Sequence, residues 1–322
     1  MPRPCAQVNM AGGADESMHR TIALIGAGRV ARGLGGRLRE AGWKIGAVAA
    51  REMPAARAAV RAIRGGTPCG GTTRRVLDAG IILLAVPDDA LAQVAAELER
   101  TGGDDLRRKV VVHTSGALGS AVLEPVARRG AWTGVMHPMQ SFGARTRPRL
   151  DGVLFGIEGH SEALRAIRKM VRSLGGSAAR IEPSRKPEYH CAGTFAAAHV
   201  LASVEAGVHL LAAAGMKRRE ATRALLQLAR QVLDNLELLG PRAAWTGPLS
   251  RGDMATIGLH WEALAGYPPE FRGAYAAMTR LAARLLSAAP HELLERFART
   301  MGGEGAPAVR PEARSAAARS TK

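Results

Sequence analysis

Aromatic residues are scarce in this chain, at 4 % of 322 residues, so any core must be built mainly from Ala, Leu and Val. Cysteine is scarcer still. Cys5, Cys69 and Cys191 show no metal-ligand spacing and cannot all pair, which suits a reducing cytoplasm and argues against a disulfide scaffold or a zinc site. Lysine is nearly absent: arginine supplies most of the 45 basic residues behind the net charge of +17. Those arginines are scattered rather than clustered with aromatics, and no helix-turn-helix, zinc-finger or RNA-binding signature accompanies them. A nucleic-acid partner is therefore not expected, although a basic surface attracts phosphorylated ligands. No charge-free run of ~18 apolar residues is evident, so no membrane span is expected. Residues 1–19 lack the apolar centre of a signal peptide and are expected to form a flexible extension.

What the chain does have begins at Thr21. The short β-branched run Thr21 to Ile25 reads as a buried parallel strand. It leads directly into Gly26-Ala27-Gly28-Arg29-Val30-Ala31, which fits G-x-G-x-x-G/A. Apolar positions then recur at helical spacing to Ala41, and Lys44 to Ala50 forms a second strand. In this setting Gly26 permits the tight turn, Gly28 admits a pyrophosphate, and small Ala31 lets the helix pack on its strand. Unsatisfied N–H groups at the helix start favour the phosphates. The second strand ends on Arg51 rather than on the acidic residue that holds a ribose 2′-hydroxyl, so a 2′-phosphate, and hence NADP, is expected.

Further along, Pro54 to Ile63 reads as a helix and Gly65 to Thr73 as a loop. Gly80 to Val86 is the clearest buried strand. Pro87-Asp88-Asp89 then stops it, with the two aspartates expected to cap a helix over 90–99. Strands follow at Lys109 to His113, Trp132 to Met136, Val153 to Ile157 and Ser177 to Ile181, with helices at Gly116 to Arg128 and 161–173. The alternation predicts an α/β fold, a doubly wound Rossmann-like parallel sheet over 20–182. Its ligand crevice should lie outside the strands' carboxyl ends, where Val86 and Pro87 join the coenzyme residues. From Pro183 onwards strand patterns cease. Helical patterns at 185–214, 217–239, 249–264, 269–288 and 290–299 predict an all-α domain over 183–300, suited to substrate binding and to homodimer formation. The polar tail 301–322 is expected to be disordered.

Three groups of residues are candidates for chemistry. Lys186 and His190 lie one helical turn apart, and either can donate the proton a reductase needs as hydride reaches carbon. Arg251 suits a substrate carboxylate, with Asp253 supporting it or simply capping the next helix. Ser115 and His137 follow strand ends and could line the same pocket; Ser115 does not sit in a G-x-S-x-G elbow, so nucleophilic hydrolysis is not indicated. Tyr189 faces another side of the helix and reads as core or interface.

Taken in order, GAGRVA, LLAVPDD, HTSGAL, GVMHPMQSF, KPEYHCAGTFAA and GPLSRGDMATIGLH resemble a bacterial family that joins a Rossmann-like NADP-binding domain to a C-terminal helical domain of formerly unknown function. That family is similar to 6-phosphogluconate dehydrogenases, ketopantoate reductases and pyrroline-5-carboxylate reductases. The resemblance implies a cytoplasmic NADP-dependent oxidoreductase acting on the carbonyl or imine of a small carboxylate metabolite. It places Lys186 as the proton donor, puts His190 and Ala198 where relatives carry asparagines, and sets Ser250–Asp253 where ketopantoate reductases hold the substrate carboxylate. A coenzyme-binding sensor or assembly protein of the same fold is the alternative.

Overall fold

The structure, a computed structural model, describes residues 20–144 and 148–302. These divide into two compact units, with the division between His199 and Val200.

The first unit is built on one eight-stranded sheet: β1 Thr21–Ile25, β2 Lys44–Ala50, β3 Thr67–Gly70, β4 Ile81–Leu84, β5 Val110–His113, β6 Trp132–Pro138, β7 Leu154–Gly159 and β8 Ser177–Arg180. Its strand order is β3-β2-β1-β4-β5-β6-β7-β8, so the chain reverses direction across the sheet between β1 and β4. That switch point is where an open α/β sheet leaves a crevice at the strands' carboxyl ends. The strands are parallel except that β7 runs antiparallel to β6. The doubly wound, Rossmann-like parallel sheet is as expected, with one reversal that the sequence pattern did not signal.

The strands are apolar on both faces because helices cover both. Ile81 and Leu83 of β4 join one cluster with Leu34 and Leu38 of α1 (Arg29–Glu40), Ile63 of α2 (Met53–Ile63) and Ile167 of α5 (Ser161–Ser173). Ile82 and Leu84 join the opposite cluster with Leu91, Ala95 and Leu98 of α3 (Leu91–Gly102). Strand alternation thus feeds two half-cores, as burial on both faces requires.

Three local expectations fail for physical reasons. Thr67–Gly70 is strand β3, not loop: it pairs with β2 at the sheet edge, where Pro68 is tolerated. The helix expected over Gly116 to Arg128 shrinks to a 3₁₀ turn at Ser120–Leu123 and the single turn α4, Glu124–Ala127. Before it, a turn closed by the Ser115 hydroxyl competes with helical bonding. Finally, Asp88 and Asp89 form a 3₁₀ turn and make no side-chain cap.

The sequence change at Pro183 does not coincide with the division into compact units. Helix α6 (Lys186–Thr194) and the π-helical turn Phe195–His199 belong with the sheet. Tyr189 packs against β7, where a methyl group at Gly156 would sit 2.6 Å from its ring. By length and composition alone, the helical stretch Pro183–Ala213 is long and apolar enough to cross a membrane. No acidic residue, lysine or arginine falls between Glu188 and Glu205.

The second unit is helical: α7 Val200–Ala213, α8 Arg218–Leu239, the single turn α9 Pro241–Ala244, α10 Met254–Ala263, α11 Pro269–Leu286 and α12 Pro290–Thr300. Its core is small, centred on Leu249, Ile257, Leu293 and Phe297. Met301 is buried in it, so ordered structure reaches just past the expected start of the tail. The expectations for residues 1–19 and for 303–322 lie outside the described residues.

Candidate active site

A cleft of about 410 Å³ opens at the carboxyl ends of β1, β2 and β4, lined by Gly26, Ala27, Gly28, Arg51, Val86 and Pro87 among others. Gly26 has φ +124°, and any side chain there would collide with the Ala85 carbonyl oxygen. Gly28 differs: a methyl group added to it would meet no protein atom within 4 Å. The fold demands the first glycine, whereas the second keeps open the space in front of α1. That helix starts with no side-chain cap and no acidic residue in its first turn, leaving its N–H groups and positive end free for an anion. Ala31 is buried, and Val30 packs against the core, so both serve the helix–sheet contact rather than the cleft. Arg29 is exposed at the first helical position and does not line this cleft. These features fit a dinucleotide with its pyrophosphate at α1 and a 2′-phosphate near Arg51.

Immediately after Pro87 the chain enters a second polar cluster. Asp88 accepts a hydrogen bond from the Ser115 hydroxyl at 2.8 Å. Ser115 Oγ in turn accepts from the backbone N–H groups of Ala117 and Leu118, at 3.2 and 3.0 Å. Its hydroxyl is therefore committed to holding the 115–118 turn. His113, fully buried, anchors the same turn from the end of β5: its Nε2 lies 3.1 Å from the Gly119 carbonyl, and its Nδ1 accepts from the Ser115 N–H at 3.2 Å. Burial lowers its pKa to about 4, so it is the neutral tautomer with the proton on Nε2.

Lys186 closes the cluster. Its side chain is 2 % exposed, and among the described residues its ammonium makes no hydrogen bond and no ion pair. Burial lowers its pKa, opposed by the carboxylates of Glu158 and Asp88. Glu158 is itself buried on β7, held by the Ser120 N–H at 2.8 Å and the Ser120 hydroxyl at 2.6 Å.

His137 and His190 complete this side. His137 Nδ1 lies 2.9 Å from the Tyr189 hydroxyl, and the two imidazoles meet edge to face at 6.0 Å between centroids. Gly116 fits against both: a methyl group there would approach His190 Cδ2 to 2.6 Å and His137 Nε2 to 2.8 Å. Desolvation lowers the His137 pKa to about 4. His190 is exposed.

The first unit thus brings together Lys186, His190, Ser115 and His137. Arg251 and Asp253 belong to the second unit. There Asp253 caps α10, accepting from the Thr256 N–H at 3.1 Å and the Thr256 hydroxyl at 2.7 Å, and these bonds hold its carboxyl below the usual range. His260 bonds Tyr275 rather than Asp253. Arg251 is exposed. Glu158 and Ser120 were not candidates from the sequence. The available signal was an acidic residue inside the otherwise apolar run LFGIEG. Among the described residues no cluster of His, Cys, Asp and Glu could hold a metal.

Residues 9–138 match the model of a Rossmann-like domain, and residues 153–282 match DUF2520, a domain of unknown function. No curated protein matches the chain in sequence. Among solved structures, it resembles a candidate NADP oxidoreductase from Bacteroides fragilis at 23 % identity and TM-score 0.68, over 83 % of this chain and 98 % of that one. A pyrroline-5-carboxylate reductase from Coxiella burnetii matches at 16 % identity and TM-score 0.56, over 83 % and 98 %. A reductive aminase from Aspergillus terreus, solved with NADPH and ethyl-5-oxohexanoate, matches at 14 % identity and TM-score 0.60, over 86 % and 99 %. At these identities the likeness is one of fold. In sequence, the chain is thus similar to a Rossmann-like domain and, after it, to a DUF2520 domain.

Proposed function

We propose that the protein is an NADPH-dependent reductase acting on the carbonyl or imine carbon of a small carboxylate-bearing metabolite, in the manner of ketopantoate reductase. The observation that carries this reading is Lys186: a buried lysine with no direct hydrogen-bond partner among the described residues, in a polar cluster that continues from the lining of the coenzyme cleft through Pro87 and Asp88. A buried lysine side chain whose ammonium bonds no described residue keeps its protons available to a ligand.

When bound, the reduced nicotinamide supplies the hydride. Gly26, Ala27, Gly28 and the first N–H groups of α1 hold the pyrophosphate, and Arg51 holds the 2′-phosphate. Lys186 Nζ donates a proton to the substrate oxygen or nitrogen as negative charge grows there; burial makes the ammonium a readier acid. His190, one turn on and packed edge to face against His137, positions the substrate. Ser115 and His137 shape the pocket through the 115–118 turn and the Tyr189 bond. Within the second unit, Arg251 keeps the carboxylate-binding role that the resemblance implies, and Asp253 fixes the helix start after it. A homodimer is part of this reading, supported by the leucines exposed along α8.

The test is NADPH oxidation by the purified protein with a panel of 2-oxo acids and cyclic imines. Lys186→Ala is expected to lower turnover at least about 10²-fold while NADPH still binds. Undiminished turnover removes Lys186 from the mechanism. The competing reading is an NADP-binding sensor or assembly protein. It is favoured by the hydroxyl of Ser115 being fully engaged within the fold. NADPH binding without turnover across the panel would select it.

A further inference from the structure

Lys186 lies between elements that each present a titratable group. Glu158 faces it from β7 and Asp88 from the turn after β4; His113 reaches it from β5 and His137 from β6, while His190 follows on its own helix. The two imidazoles of His113 and His137 are neutral at neutral pH, which leaves the two carboxyl groups as the acidic neighbours. These differ in how they are held. Asp88 is exposed and tied to one hydroxyl. Glu158 is 8 % exposed, with each oxygen fixed by a different donor of Ser120, one backbone and one hydroxyl. The Ser120 turn is itself anchored, since the preceding Gly119 carbonyl accepts from His113. A methyl group at Gly119 would lie 3.5 Å from Glu158 Oε2 and 4.0 Å from Lys186 Cδ, so this turn touches both partners.

We propose that Glu158, clamped by Ser120, is the positioning residue that keeps Lys186 charged in its buried setting and thereby sets the upper pH limit of proton donation. This rests on the reading of Lys186 as proton donor. A buried ammonium loses its proton early unless a fixed negative charge opposes desolvation. The two Ser120 donors fix the Glu158 carboxyl in place beside the same turn that Lys186 touches. Neither Glu158 oxygen is directed to Lys186 by a direct hydrogen bond, so the ammonium protons stay available to a ligand. The influence acts through space, at low local dielectric.

The test compares the parent with Glu158→Gln, Glu158→Asp and Ser120→Ala in the full chain. The proton of Lys186 is followed by the NMR shift of its ¹³C-labelled ε-carbon, assigned by its disappearance in Lys186→Arg; only five other lysines compete. Glu158→Gln preserves shape and Ser120 contacts but removes the charge. It is expected to move the Lys186 titration down by about one pH unit, tenfold in proton affinity. The alkaline limb of NADPH-dependent turnover should move down equally, with NADPH affinity unchanged. Glu158→Asp, keeping the charge, should restore most of the shift. Ser120→Ala frees one oxygen and should move the titration in the same direction by less, which serves if Glu158→Gln does not fold. An unmoved Lys186 titration in the folded variants overturns the inference. A moved titration in a protein that reduces nothing upholds the Glu158 coupling and removes the reductase reading instead.

Discussion

The two compact units solve the problem of burial differently. The sheet unit completes its interior by itself: every residue of β4 and β5 is buried, and two apolar clusters fill the space beneath helices on either side. The helical unit has a core of only a few residues, and α8 leaves Leu228, Val232, Leu233, Leu236, Leu238 and Leu239 exposed. A helix of 22 residues with one buried position is not stabilised by its own unit in the way α5 is, with five. The contrast separates a unit that buries its apolar surface within the chain from one that leaves much of it exposed. The buried titratable groups Lys186, Glu158 and His113 all belong to the sheet unit.

The comparison breaks first where the sheet unit is most tightly specified. Gly26→Ala forces a side chain into the Ala85 carbonyl at a positive φ and should cost about 3 kcal/mol in a denaturant melt, with loss of NADPH binding. A stable, binding-competent variant would show that the β1–α1 turn is looser than described.

Acid should act on the same unit next. His113 has its folded pKa lowered to about 4 from an ordinary value of 6.5, by burial. Between those values the unfolded chain binds the proton and the folded one does not. The contribution of this group is therefore intact above about pH 6.5 and declines as pH falls towards 4, with about 2 kcal/mol lost by pH 5. Urea melts of the parent and His113→Asn across pH 7 to 5 check this; the variant should lose less. A parallel decline in both would assign the acid sensitivity elsewhere.

The smallest effect sharpens the other half. Leu236→Ser removes an exposed apolar side chain from α8. If a second copy covers that face, stability and the dimer constant should fall by about 1.5 kcal/mol. If the face stays in water, the change should be near zero. Melts at two protein concentrations, with light scattering, separate these outcomes.

Much of the fold could be read from sequence because its elements announce themselves locally. The run TIALI before a glycine turn, the period of α1, and the amphipathic stretch 161–173 each carry a signal within one element. β3 does not, since Thr-Pro-Cys-Gly has turn composition and becomes strand only by pairing with β2. The reversal of β7 is equally silent, because a short apolar run carries no direction. In the site, Lys186 was legible from its place at a helix start. Glu158 was not, because its meaning depends on Ser120, thirty-eight positions away, and on Lys186 beside it. Asp88 was seen but assigned to a cap; its partner Ser115 is again distant in sequence.

Pro68, which hid β3 from the sequence pattern, has a further effect at the sheet's outer rim. Lying in the edge strand, it has no backbone hydrogen to offer a newcomer, and only four residues of strand are presented there. The opposite rim, β8, is just as short and carries Arg180 at its end. Neither border of the sheet is a template for another chain to zip onto, so growth of this fold into ribbons is discouraged at both ends, and any partner must be met through side chains instead.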